Sequence, residues 1–275
     1  MIDTHTHLHY SGRLPDEPAG ITAEKLIETM SERSIDISVL LPMETPELTS
    51  GFCLTEWVIE AAEQFPEQLV PFMHFDPRKP RCVDLIEHFN AHPLVRGFGE
   101  LVDPLPFDDP RRLKIYDKCG ELGLPLVFYG DKNASVDEPG LPRLERCLRD
   151  FPDTIFIGHG SRWWNAISAE DDGECGYPGG EVVPGGPADR FLQEYENMYA
   201  DISARSGYNA LMRDPEFTLG FIERNWRKLF FATDYLDVDH EIGHVRWIRE
   251  TPMDEKHRYA IAEGNARRVL GLGPV

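Results

Sequence analysis

Short apolar runs alternate with amphipathic stretches along the whole chain, and this alternation predicts a parallel β/α repeat. Eight runs read as strands: Met1–Thr4, Ile35–Leu41, Leu69–Phe75, Val95–Val102, Pro125–Tyr129, Thr154–Gly158, Met198–Ile202 and Leu229–Thr233. Between them apolar residues recur at intervals of three and four, as Leu26, Ile27 and Met30 do within Ala23–Ser34, and this spacing predicts helices. Further helical stretches are Cys82–Ala91, Pro110–Leu122, Leu141–Phe151, Asp189–Glu196 and Glu216–Trp226. A closing helix runs from Asp254 to Leu270 and stops before Gly271. Successive strands mostly start about 30 residues apart, which suits one strand, one helix and two loops. Eight such units in 275 residues predict a single α/β domain over 1–275, folded as a (β/α)₈ TIM barrel. The longest interval contains Glu170–Pro187 (EDDGECGYPGGEVVPGGP), which lacks periodicity and follows the sixth strand. Barrel enzymes place substrate loops at such points, so 170–187 reads as a candidate lid or as a plain surface insertion.

Charge narrows the partners. Forty-eight acidic against 28 basic residues give a net charge of −20. Such a field repels nucleic acid and anionic membranes, so a small-molecule substrate is expected. No run reaches the roughly 18 apolar residues of a membrane span, and the first residues lack a signal-peptide pattern. A cytoplasmic enzyme is therefore the expectation, with a homo-oligomer left open. The five cysteines, Cys53, Cys82, Cys119, Cys147 and Cys175, are scattered and form no CxxC pair. They read as reduced packing residues rather than as a disulfide frame or a thiolate metal site.

The chemistry collects at strand ends. In Asp3-Thr4-His5-Thr6-His7 the two histidines share a strand face, which offers half of a metal site. Glu100 ends the fourth run, His159 the sixth and Asp234 the eighth. Each alone could cap the helix that follows it. Together they bring nitrogen and oxygen ligands to one rim of the barrel, where active sites of this scaffold lie. Weaker candidates for contact with substrate are His74 at the end of the third run, Arg162 and Trp163 after the sixth, and Arg205 after the seventh. Arg78, after the third run, offers another guanidinium that could clamp a carboxylate.

Through these motifs the chain resembles the amidohydrolase-related (amidohydrolase 2) family, the branch of the amidohydrolase superfamily containing aminocarboxymuconate-semialdehyde decarboxylase-like enzymes. The resemblance runs nearly end to end. It passes through Asp3-Thr4-His5-Thr6-His7-Leu8, Gly158-His159-Gly160, Tyr199-Ala200-Asp201 and Ala232-Thr233-Asp234, and it closes on Gly264-Asn265-Ala266-Arg267-Arg268. It implies that His5, His7 and Asp234 bind a divalent metal, with His159 binding metal or activating water. The family usually has a fifth-strand histidine as well, and here Tyr129 stands in its place. A phenol of pKa near 10 is a poor ligand at neutral pH, so Glu100 is expected to complete the shell and Tyr129 to face the substrate. One transition metal is expected, zinc first, with manganese or iron as alternatives.

The resemblance implies metal-dependent hydrolysis of a C–N or C–O bond in a small, carboxylate-bearing substrate. Asp234 would take the proton of a metal-activated water and His159 would polarise the substrate carbonyl. The same family allows non-oxidative decarboxylation of an aromatic or unsaturated acid. A third reading is a non-catalytic barrel whose site has decayed at Tyr129.

Overall fold

Apolar side chains at alternate positions of each run build two cores, and the strands lie between them. The strands are β1 Ile2–Thr6, β2 Ile37–Leu40, β3 Leu69–Pro71, β4 Phe98–Leu101, β5 Leu126–Tyr129, β6 Phe156–His159, β7 Met198–Asp201 and β8 Leu229–Phe230. This computed structural model describes residues 1–9, 20–47, 52–236 and 243–273. Each strand is parallel to the next in two arcs, β1 to β3 and β4 to β8. Backbone bonds join the arcs at both seams. Gly99 N donates to Met73 O at 2.8 Å, and Thr4 N donates to Phe231 O at 3.1 Å. The result is the closed eight-stranded barrel that the repeat predicts, and closure leaves no sheet edge unpaired.

The inner core is Ile2, Val39, Val70, Phe72, Val127, Ile157, Tyr199 and Phe230, one or two residues from most strands. Ala266 and Leu270 of the closing helix pack against it. The outer core lies between strands and helices and holds Leu40, Phe98, Leu126, Phe156, Trp163 and Trp164 among others. All five cysteines are free and four are buried, as expected of packing residues. No described helix is long and apolar enough to cross a membrane.

Every expected strand and helix is present, with ends shifted by a few residues. Four described helices were not expected: Thr55–Gln64, Ser161–Asn165, Ala204–Met212 and Gly243–Glu250. They span 5 to 10 residues, a range that overlaps the 8 to 9 residues of the expected helices Cys82–Asn90, Pro142–Asp150 and Pro187–Glu194. The closing helix is not continuous. It runs Glu255–Tyr259, widens into a π turn over Ala260–Gly264 and resumes over Asn265–Leu270. The Ile261 carbonyl accepts instead from Phe231 N at 2.8 Å, and Asn265 Nδ2 donates to Leu229 O at 2.8 Å. Tertiary bonds to β8 thus compete with the helical ladder there.

The segment after β6 is tied to its neighbours. Ala169 N donates to Val183 O at 2.9 Å, Val182 N to Asp214 Oδ2 at 2.9 Å and Asn209 Nδ2 to Pro178 O at 3.2 Å.

One buried ion pair braces the rim next to β4. Arg112 Nη2 lies 2.9 Å from Asp103 Oδ2, and both side chains are fully buried. Arg112 Nη1 also donates to Ser135 Oγ at 3.0 Å, which links the loops after β4 and β5. Removing one partner strands the other charge in the interior. Arg112→Ala is expected to destabilise the protein by about 3–5 kcal/mol in denaturant titration. A loss below about 1 kcal/mol, the level of an exposed pair, would show that the brace carries no load.

Candidate metal centre

Local backbone features set the ligand positions. The β1 register against β2 shifts between Asp3 and Thr6, within the stretch that carries His5. The Asp3 carboxylate accepts from Thr233 Oγ at 2.6 Å, Thr233 N at 3.0 Å and His5 N at 3.2 Å. Burial pushes the Asp3 carboxyl up to about 7 despite these bonds. This clasp fastens β1 to the chain after β8. Asp234 follows with φ of 57°, a left-handed conformation that Asp tolerates better than most residues, and its N–H donates to His5 O at 2.9 Å. On the other side Gly99 has φ of 124°, and a Cβ there would meet Val127 O at 2.4 Å. Only glycine fits immediately before Glu100.

His5, His7, Glu100, His159 and Asp234 converge. His5 Nε2 and His7 Nε2 are 3.1 Å apart. Asp234 Oδ1 lies 3.2 Å from His7 Nε2 and 3.7 Å from His5 Nε2. Glu100 Oε2 lies 3.5 and 3.6 Å from the same two nitrogens, while its Oε1 is 3.5 Å from His159 Nε2. Four of the five side chains are at most 6% exposed, whereas Asp234 is 19% exposed and marks the open side.

The outward nitrogens decide what this cluster needs. His7 Nδ1 is 2.9 Å from Leu41 O, a pure acceptor, so that nitrogen carries a proton. His5 Nδ1 is 2.8 Å from Asp201 Oδ2 and His159 Nδ1 is 3.0 Å from Asp201 Oδ1. The two imidazoles hold the Asp201 carboxyl far below the usual range even though burial opposes it, so it too is an acceptor. With Nδ1 as the outward, proton-bearing nitrogen, the three rings turn their Nε2 atoms inward, beside two carboxylates. A set made only of acceptors calls for a cation, and His/Asp/Glu donors suit a divalent transition metal. In its absence protons fill the role. Burial lowers the His5 pKa, but the Asp201 and Glu100 carboxylates outweigh it and raise the group well above its ordinary value. His159 is raised for related reasons, and Glu100 is lowered by the His5 and His159 charges against its own burial.

Asp201 is the residue that strand-end reasoning passed over. It ends β7 as Asp234 follows β8, and the same rule would have found it. The other expected residues are placed variously. The Tyr129 ring is 5.7 Å from that of His159, with its hydroxyl donating to Asp131 Oδ2 at 3.1 Å. Burial keeps that phenol protonated, which suits a donor and not a metal ligand. His74 is fully buried beside Phe98, and burial lowers it to about 4. Arg162 is turned to the segment after β6, where Nη2 donates to Gly173 O at 2.5 Å. Trp163 is fully buried in the outer core against Phe128, so it packs and meets no solvent. Arg205 is exposed and lies over the Tyr177 ring at 4.6 Å. Arg78 is paired with Asp76 and Glu47.

A family model described as Amidohydrolase matches residues 2–272. No curated protein matches the chain by sequence. Solved structures share its fold at low identity. A probable 2-pyrone-4,6-dicarboxylic acid hydrolase from Acinetobacter baumannii is 15% identical over 98% of both chains, with a TM-score of 0.66. The 5-carboxyvanillate decarboxylase of Sphingomonas paucimobilis is 16% identical over 99% of both, with a TM-score of 0.65. A dihydroxybenzoic acid decarboxylase from Polaromonas sp. JS666, solved with manganese and 2-nitroresorcinol, is 14% identical over 100% of this chain and 97% of its own, at 0.59.

A metal entering this cluster must displace the proton that the raised His5 holds. Apparent affinity for zinc or manganese is therefore expected to rise with pH through the neutral range, with protons released on binding. Calorimetry in buffers of different ionisation enthalpy measures that release. Binding that is independent of pH, with no proton released, would refute the assignment of those donors.

Proposed function

The chain belongs to the amidohydrolase family, and from that premise we propose that it is a metal-dependent decarboxylase. Its substrate is a small aromatic or unsaturated acid, from which it releases carbon dioxide without oxidation. The observation that carries the metal dependence is the pair of inward Nε2 atoms of His5 and His7, 3.1 Å apart and flanked by Asp234 and Glu100. In this reading His5, His7, Glu100, His159 and Asp234 hold one divalent ion. When bound, it supplies a Lewis acid that anchors an oxygen of the substrate and draws electron density from it. Zinc suits these donors, and the manganese in the Polaromonas decarboxylase makes manganese the second ion to load.

Decarboxylation breaks the bond between the substrate carbon and its carboxylate. The electron pair stays on that carbon, which then takes a proton. Asp234, on the open side, is the group placed to relay that proton. Burial pushes the Asp234 carboxyl up, but the His7 hydrogen bond and the His5 and His159 charges outweigh it and hold it at about 2. The fold likeness to two decarboxylases supports this reading over hydrolysis. Decarboxylation needs no water deprotonated before the carbon–carbon bond breaks. Tyr129, beside His159, is the residue offered to the substrate, and its hydroxyl would turn from Asp131 to donate to it, whereas His74 is fully buried.

Hydrolysis is the second reading, favoured by the likeness to the pyrone-dicarboxylic acid hydrolase. Isotopes separate the two. Decarboxylation in deuterated water places deuterium on the carbon that lost its carboxyl, whereas hydrolysis in ¹⁸O-water places ¹⁸O in the product. The zinc- or manganese-loaded protein is expected to release carbon dioxide from members of a hydroxybenzoate and unsaturated-acid panel. Asp234→Asn is expected to lose about 100-fold or more of that rate while keeping its fold. Incorporation of ¹⁸O from lactone or amide substrates, with no carbon dioxide from any acid, would move the assignment to hydrolysis.

A further inference from the structure

We propose that Asp201 is a positioning residue that holds His5 and His159 as one unit, fixing both tautomers at once. The proposal rests on the metal-centre reading above and assigns a function to a residue outside the ligand set. The Asp201 side chain is 1% exposed. It divides its two oxygens between the two rings, Oδ2 with His5 Nδ1 at 2.8 Å and Oδ1 with His159 Nδ1 at 3.0 Å. The rings lie 4.1 Å apart between centroids, inclined by 36°. A single carboxylate therefore sets the proton position and the ring angle of groups that β1 and β6 deliver from different parts of the chain.

The carboxylate is itself held in place. Ser203 N donates to Oδ1 at 3.1 Å, and the Ser203 hydroxyl donates to the same oxygen. Trp164 Nε1 donates to the Asp201 backbone carbonyl at 3.1 Å, which ties this strand end to the helix after β6. With Nδ1 protonated on both rings, both Nε2 lone pairs are free to bind metal. The carboxylate–histidine–metal arrangement is familiar for single ligands. Here one carboxylate serves two, so its loss should disturb both together.

Asparagine provides the discriminating test because it keeps the shape and removes one acceptor. Its oxygen can accept from one Nδ1–H, but its NH₂ must face the other ring as a donor. Ser203 N–H keeps the remaining oxygen on the His159 side, and the Ser203 hydroxyl lies 2.9 Å from His159 Nδ1 as a second partner. His5 is therefore the ring driven to the opposite tautomer, with a proton on the nitrogen that should bind metal. Asp201→Asn is expected to weaken zinc affinity by about 10–100-fold. The visible spectrum of its cobalt(II)-loaded form should change with the lost ligand, and ¹⁵N NMR of the zinc-loaded form should show one histidine of the pair in the other tautomer. Asp201→Glu keeps both acceptor oxygens and is expected to recover tautomers and affinity in part.

Wild-type zinc affinity, cobalt spectrum and tautomers in a folded Asp201→Asn would overturn the proposal and leave the metal centre standing. Equal losses in Asp201→Asn and Asp201→Glu, with tautomers unchanged in both, would reduce Asp201 to packing and overturn it as well. A wild-type protein that binds no zinc or cobalt would instead overturn the metal-centre reading itself.

Discussion

Two imidazole nitrogens held 3.1 Å apart, each with its proton drawn to the far side of its ring, govern the rest of this molecule. Neutral histidines in that geometry face each other lone pair to lone pair. Asp234 and Glu100 add negative charge from two more directions, and Asp201 adds it from behind. Buried acceptors without a compensating charge are costly, because water is not there to solvate them. The cluster is therefore a site built around a cation, filled by protons or by a metal. Its perturbed groups, raised His5 and His159 with lowered Asp201 and Asp234, are the electrostatic record of that demand.

A closed barrel is what makes such a cluster tolerable. The ligands sit on strand ends whose backbones are bonded to both neighbours, so repulsion among them cannot simply push the strands apart. The Asp3 clasp on Thr233 holds the seam between β1 and the chain after β8, where His5, His7 and Asp234 meet. Gly99 lets the β4 backbone pass against Val127 immediately before Glu100. The Arg112–Asp103 pair then anchors the loop that leaves β4. Rigidity at the rim precedes chemistry there, since preorganised groups lose little on reaction.

The replacement of a fifth-strand histidine by Tyr129 does not dismantle the set. Glu100 reaches the space from β4 and touches the ring nitrogens of both flanks, His5 and His7 on one side and His159 on the other. Tyr129 remains beside His159 as a protonated phenol whose hydroxyl donates to Asp131 Oδ2. The guanidinium of Arg162 is committed to Gly173 O, and Trp163 is sealed in the outer core. Recognition thus falls to groups nearer the cluster than those two.

The sequence by itself determined the barrel, because side-chain alternation on strands and three-to-four spacing on helices are local properties that burial enforces at each element. It also determined the candidate ligands. A polar residue near the end of an apolar run lies near a strand's end, and His5, His7, Glu100, His159 and Asp234 fall within, at or just past the ends of β1, β4, β6 and β8. The π turn escaped because it depends on bonds to Leu229 and Phe231. Tertiary structure alone decided which strand ends share a carboxylate. Asp201 is 196 residues from His5 and 42 from His159, and no spacing rule connects them. β7 pairs directly with β6, and closure of the ring then brings it near β1, so that one carboxylate meets both histidines. Tertiary structure likewise turned Arg162 and Trp163 away from the site, since side-chain direction after a strand end depends on what packs there and not on position in the chain.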